Sequence, residues 1–259
     1  MLFKRSLSLL TCFIIVMSAV AQDIRYASAD NSWNADSLGN HRAVLQFNGS
    51  GPYAKAVIGW RRNDNDPWNK RIIVTDANGN KISNVKTGLI SNEKGELVFE
   101  PVSGKGPYYV YYMPYKNEGR SNYPKGVYLA PEHTAAADWE RTANIQMPVN
   151  TELKSIESVN TLNSFYPMEV TATVNETAAL IAKSKRSDYL VFPEDRLYPI
   201  RMTDQLPQRW ISSGPQNSFN ASAAKGEYFT FQLGVYALQH LEEVTVSFSD
   251  LKQPGGLTI

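Results

Sequence analysis

Within five residues, Trp60-Arg61-Arg62-Asn63-Asp64 supplies an aromatic ring, two fork-shaped donors and a carboxylate, with Asp66 close behind. A strand end presenting that set could bind a sugar with acidic substituents, the ring as platform and the guanidinia as bidentate donors. Trp60, Arg61, Arg62 and Asp64 are therefore the candidate carbohydrate contacts. The competing role is structural, with Trp60 packed in a core and the two arginines paired to Asp64 and Asp66, and the sequence context favours it. Asp64-Asn65-Asp66 also suggests calcium, but the glycine and distal glutamate of an EF-hand loop are missing. Two adjacent acid pairs, Glu194-Asp195 and Glu242-Glu243, invite an acid–base reading. Each sits in a turn-like context where a solvated charge, or a partner for an arginine such as Arg196, is the simpler role. Tyr108, Tyr109, Tyr111, Tyr112 and Tyr115 could stack on sugar rings, yet alternate tyrosines of a strand ordinarily divide between core and cross-strand pairs. His41, His133 and His240 lie far apart and point to neither a metal site nor a triad. No catalytic residue, metal ligand or cofactor site is assigned from these patterns.

The N-terminus has the form of a secretory signal. Lys4 and Arg5 precede an apolar run from Leu7 to Val16, and Ala19-Val20-Ala21 offers a small-residue cleavage site, so residues 1–21 are expected to be removed. That apolar run is shorter than the ~20 residues a membrane helix needs. The chain has a single cysteine, Cys12, inside the signal; an exported product would then lack disulfides and thiol chemistry. Loss of Lys4 and Arg5 leaves 24 basic against 25 acidic side chains, which favours neither nucleic acid nor an anionic membrane as partner. About 240 residues remain, enough for two modules with substantial cores.

Those side chains need elements to position them, and most of the signals are β. Ala43–Phe47, Lys55–Trp60, Arg71–Thr75, Leu97–Phe99 and Tyr108–Tyr115 are strand-like runs, separated by turn residues such as Asn48–Pro52 and the Asn-Gly of Asp76–Gly79. Residues 22–42 are polar without a period and read as a flexible lead-in. Alanines over 132–144 suit a short helix, 150–163 reads as helix and loop, and Val170, Val174, Ala178 and Ile181 recur at helical spacing. Near the end, Phe229, Phe231, Leu233 and Val235 alternate with Tyr228, Thr230, Gln232 and Tyr236. Val244–Phe248 repeats the alternation, so the two runs read as a hairpin. The expected organisation is a signal peptide (1–21), an N-terminal β-sandwich (22–131), a helical connector (132–187) and a second β-sandwich module (188–259), incomplete at its C-terminal end. The fold class is mainly β, with two antiparallel β-sandwich modules joined by a helical segment.

Four phrases in order, IGWRRNDNDPWNKRIIVTDANG (58–79), SFYPMEV (164–170), FPEDRLYPIRMTDQLP (192–207) and GEYFTFQLGVYA (226–237), resemble the N-terminal region of glycoside hydrolase family 123-like proteins, which are related to β-N-acetylgalactosaminidases. The resemblance implies a bacterial, exported protein, periplasmic or extracellular, that works on N-acetylhexosamine-containing glycans. It also implies a substrate-assisted mechanism carried by an adjacent Asp-Glu pair on a (β/α)₈ barrel lying downstream. Such a barrel takes about 250 residues, and this chain spends its length on antiparallel β. Neither acid pair matches the family's catalytic pair; Glu194-Asp195 has the reverse order. The expected role is thus a non-catalytic accessory region that meets a glycan through a C-terminal catalytic domain, with no nucleic acid partner and no membrane contact after signal cleavage. The alternative is a free-standing carbohydrate-binding or surface-scaffold β-sandwich protein.

Overall fold

The computed structural model describes residues 24–250 apart from Tyr166 and Phe248. The expected signal segment and the last turn and strand start lie outside those residues. Tyr26–Ser28 (β1) and a short helix, Ala35–Leu38 (α1), precede His41–Phe47 (β2), Ala54–Ile58 (β3), Ile72–Asp76 (β4), Val85–Ile90 (β5), Gly95–Phe99 (β6) and Gly106–Tyr112 (β7). A hairpin of Tyr115–Arg120 (β8) and Tyr123–Tyr128 (β9) follows, then helix Ala137–Thr142 (α2) and strand Thr151–Ser158 (β10). The remainder is Val174–Lys183 (α3), Tyr189–Asp195 (β11), Gln208–Ser213 (α4) and Phe231–Ala237 (β12). The protein is mainly β, as its strand signals imply, and distributes its strands over several sheets.

The larger sheet has the order β1-β10-β2-β7-β4, and a second sheet has the order β3-β6-β5. All pairings are antiparallel except β1 with β10, among the described residues. One apolar cluster draws on both sheets: Leu45 and Phe47 of β2, Ile58 of β3, Leu97 and Phe99 of β6, Val110 and Tyr112 of β7, and Ile156 of β10. In each strand the members of this cluster are those on one side of the pleat, because a strand sends alternate side chains to opposite faces. Tyr108 and Tyr112 take the inner face. Tyr111 takes the outer one, under a cover of Arg42, whose guanidinium lies 4.4 Å from the Trp33 ring and 3.9 Å from Tyr109.

Several expectations change here. The lead-in is ordered, with β1 added to the edge of β10 and α1 capped by the Asn34 side chain; three-residue strands are too short to show a period. The connector over 132–187 contains α2 and α3, but its middle, expected as helix and loop, is β10, hydrogen-bonded into the larger sheet beside β2. A register shift between Leu153 and Ser155 explains the misreading. The bulge lets Leu153 and Ile156 both pack against the core, and their spacing of three imitates a helix. Val170 belongs to an isolated bridge with Arg62 and not to α3, whose start is fixed by a Thr173/Glu176 capping box. At the C-terminal side, β12 pairs with β11 and not with residues 244–247, which carry no strand; Val244 and Val246 are exposed.

A tryptophan over a glycine organises each apolar cluster. Trp60 is fully buried, stacks on Tyr112 at 4.8 Å and donates from Nε1 to the Ser91 carbonyl at 2.7 Å. Its six-membered ring occupies the space above Gly95 so closely that a Cβ there would lie 2.1 Å from it. Trp210 repeats the arrangement in the second cluster, with Met168, Leu190, Phe192 and Leu206. It stacks flat on Phe192 at 4.6 Å and covers Gly234, where a Cβ would approach to 2.2 Å. This corrects which face of β12 is inward. Gly234 and its neighbours Gln232 and Tyr236 face the cluster, while Phe231, Leu233 and Val235 are about half exposed.

Gly95→Ala and Gly234→Ala are each expected to cost at least ~1–3 kcal/mol, because a rigid indole must be displaced from a close-packed site. Urea unfolding followed by tryptophan fluorescence reads this as a lowered midpoint, and unchanged midpoints would show that the rings relocate freely.

Candidate functional site

Leaving β3, the backbone turns sharply at Arg61, which has φ of 48°. The left-handed turn sends the two arginines apart. Arg61 forms a two-pronged pair with Glu176, 2.7 and 2.9 Å, and so ties the end of β3 to the capping box of α3. Arg62 goes inward. Its Nε meets Asp64 Oδ2 at 2.8 Å, one terminal nitrogen donates to His41 Nδ1 at 2.8 Å, and the guanidinium lies near the rings of Tyr112 and Phe165. Burial works against the Arg62 charge, but Asp64 and the hydroxyls of Tyr112 and Tyr128 outweigh it and hold the group more basic than usual.

Asp64 is buried and shared. Beyond Arg62 it accepts from the Tyr128 hydroxyl at 3.1 Å and lies 3.8 Å from Lys70 Nζ, while Asn92 donates to the carbonyls of both Arg62 and Asp64. Lys70 also sits 4.1 Å over the Tyr128 ring. His41 completes the group. Its Nε2 lies 2.7 Å from the Asn163 carbonyl and must donate, so Nδ1 is the acceptor for Arg62 and the ring is neutral. Burial first, then the Arg62 charge, pushes its pKa from 6.5 down to about 3.

Trp60, Arg61, Arg62 and Asp64 are thus gathered by the fold, but as internal ties. Trp60 offers no exposed platform, Asp64 is enclosed, and Asp66 takes no part in the pairing; it caps a 3₁₀ turn in the left-handed conformation. The two acid pairs differ. Glu194 is buried and accepts from Trp210 Nε1 and Arg209, Asp195 accepts from the Leu197 amide, and Glu242 is exposed. Among the described residues no group of three or more His, Cys, Asp or Glu could hold a metal ion, and no helix is long and apolar enough to cross a membrane.

What the internal cluster does is fix the 3₁₀ turn Pro67–Asn69, through Lys70 on one side and Asp64 on the other. That turn carries Trp68, 58% exposed, which sequence reading overlooked in favour of Trp60. Trp68 lines a cleft of about 590 Å³ where two sheet edges meet, β4 of the larger sheet and β5 of the smaller. The floor includes Ile72, Ile73 and Ile90, and the far wall is the segment 131–134. Thr134 donates to the Ser83 carbonyl, the Ala136 amide donates to Asn84, and Arg71 pairs with Glu132 at 2.8 Å, so the wall is anchored. Lys86 spans the cleft's side by donating to the carbonyls of Glu140 and Ala143.

The family comparison matches residues 31–159, from just before α1 to the end of β10, to the model described as Glycoside hydrolase 123, N-terminal domain. This segment is a glycoside hydrolase 123 N-terminal domain. Both larger sheets, β1 excepted, the Arg62 cluster apart from Asn163 and Phe165, and the Trp68 cleft lie within that domain. Comparison with curated proteins and with solved structures returned no match.

The neutral His41 of the glycoside hydrolase 123 domain makes stability acid-sensitive. Between pH 6.5 and about 3 the unfolded chain binds the proton that the folded chain refuses. The contribution is therefore complete above pH 6.5 and falls by up to ~1.4 kcal/mol per unit as pH drops through that window. Carboxylates held below their usual range, such as Glu176, add to the loss only below about pH 5. Urea midpoints measured from pH 7 to 5 should decline in the native chain and stay flat in His41→Gln; parallel slopes would exclude His41 as the cause.

Proposed function

We propose that this chain is the exported, non-catalytic accessory region of a glycoside hydrolase 123-type enzyme that acts on N-acetylhexosamine-containing glycans. The family match over 31–159 carries the reading, because the matched unit is the N-terminal domain. The commitment of Glu194 is consistent with it: this carboxylate accepts from Trp210 Nε1 and pairs with Arg209, while Glu242 and Glu243 are exposed. Catalysis in this reading belongs to a separate domain with its own Asp-Glu pair, and the glycan is met through that domain. The protein would work in the periplasm or outside a bacterial cell, without nucleic acid or membrane partners.

In the same reading the two larger sheets form a β-sandwich, which their shared apolar cluster supports. The β11–β12 ribbon would be one layer of a second sandwich, an arrangement suited to the half-exposed Phe231, Leu233 and Val235. A second reading, a free-standing carbohydrate-binding or scaffold protein, has the exposed Trp68 ring in its favour.

The isolated chain should release no chromophore from an aryl N-acetyl-β-galactosaminide over long incubation at high enzyme concentration. Turnover that survives repurification and disappears on mutation of Glu194 or Asp195 would overturn the accessory reading.

A further inference from the structure

We propose that the cleft under Trp68 is a binding site for a pyranoside bearing an anionic substituent, a carboxylate or a sulfate. The argument is geometric first. A sugar ring has an apolar CH face and a polar rim, so it suits an exposed indole beside an apolar floor with charged groups around it. Trp68 provides the indole, Ile72, Ile73 and Ile90 the floor, and Lys81, Glu132 and His133 stand at the rim. The cleft is rigid where it matters. Lys70 is tied to Asp64, which holds the Trp68 turn, and the 3₁₀ turn packs against β5. Lys81 is fixed by a bridge to Thr75 across the Asp76–Gly79 turn, whose Asp76 carboxylate accepts from the amides of Asn78 and Asn80.

Charge selects the class of sugar. Four cationic side chains line the cleft, Lys70, Arg71, Lys81 and Lys86, against the carboxylates of Glu132 and Glu140. Lys70 is turned to Asp64 and Arg71 to Glu132, while Glu140 has His133 at 3.0 Å. Lys86 donates to the carbonyls of Glu140 and Ala143 and Lys81 is exposed, and the four cations of the lining outnumber its two carboxylates. An anionic group on a ring stacked against Trp68 would supply the missing complement. The site stands whether or not the chain serves a hydrolase domain.

Calorimetric titration of the full chain tests this with three tetrasaccharides: hyaluronan (carboxylate), chondroitin 4-sulfate (carboxylate and sulfate) and chitotetraose (neutral). At least one acidic probe should bind at least tenfold more tightly than chitotetraose, with affinity falling as salt is raised. Trp68→Ala and Lys81→Glu should each weaken that binding at least tenfold, and Trp68→Tyr should retain it. Trp68 and Lys81 are exposed, so circular dichroism should show both variants folded; if one fails to fold, the other decides. Absence of binding by both acidic probes, a neutral probe bound equally well, or unchanged affinity in a folded Trp68→Ala would each overturn the proposal. The readout is binding, so its failure leaves the accessory role standing, just as glycoside turnover would leave this site standing.

Discussion

A guanidinium buried between two aromatic rings has to be compensated from several directions, and much of this architecture can be understood as the compensation of Arg62. Its partners come from widely separated parts of the chain: His41 opens β2, Asp64 follows β3, and Asp64 is itself held by Tyr128 at the end of β9 and Lys70 before β4. The pair as a whole adds little net stability, since desolvating two charges costs about what their attraction returns. Removing one partner is a different matter: an uncompensated charge left inside costs ~3–5 kcal/mol. The cluster therefore acts on specificity. The members come together only when β2, the 60–70 loop and the β8–β9 hairpin are all in place.

The same loop also joins the two apolar clusters. Arg62 bridges to Val170, the Thr171 amide donates to the Arg61 carbonyl, and Thr171 bridges in turn to Pro207. Gln208 and Ala172 add backbone bonds on either side of that crossing. Arg61 then reaches Glu176, so the residue that turns the backbone also braces the Thr173/Glu176 capping box of α3. A short irregular crossing thus does what a helical connector was expected to do. The sequence pattern could not announce it, because isolated bridges have no period, and Val170 stood at helical spacing from Val174 by coincidence.

Periodicity made the inner strands legible. Ala43–Phe47, Lys55–Trp60, Arg71–Thr75 and Tyr108–Tyr115 alternate because one face is buried, and each contains a strand, though β3 stops at Ile58 and β7 at Tyr112. What failed was whatever broke or lacked the period: β1 at three residues, β10 with its bulge, and β8–β9 with almost every residue exposed. The C-terminal alternation over 228–236 points to a strand, which forms over 231–237, but with β11 as partner and the opposite face inward. A lone glycine decided the face, since Gly234 opens the space that Trp210 fills, and hydrophobicity alone pointed to the opposite side. The Thr173/Glu176 capping box is a sequence-level signal for the start of α3. For the candidate site, residue types drew attention to Trp60 with its two arginines, while burial assigns those to internal ties and leaves Trp68, eight residues on, in solvent.

That inversion follows from how a two-sheet domain treats its aromatic side chains. Trp60 continues the inward register at the end of β3 and finds Gly95 beneath it, so its large surface is best used in the core. Trp68 lies in a 3₁₀ turn after a left-handed Asp66, outside any strand register, at the place where the edges of β4 and β5 come together. Edge strands carry unpaired backbone groups that need water, a cover or a partner. Here the 131–134 wall covers one side and leaves a cleft on the other. In such an opening the exposed members, Trp68 and Lys81, can vary without disturbing the buried cluster behind it. A fold of this kind can therefore keep Arg62 and Asp64 fixed as structure while leaving recognition to the rim that they hold in place.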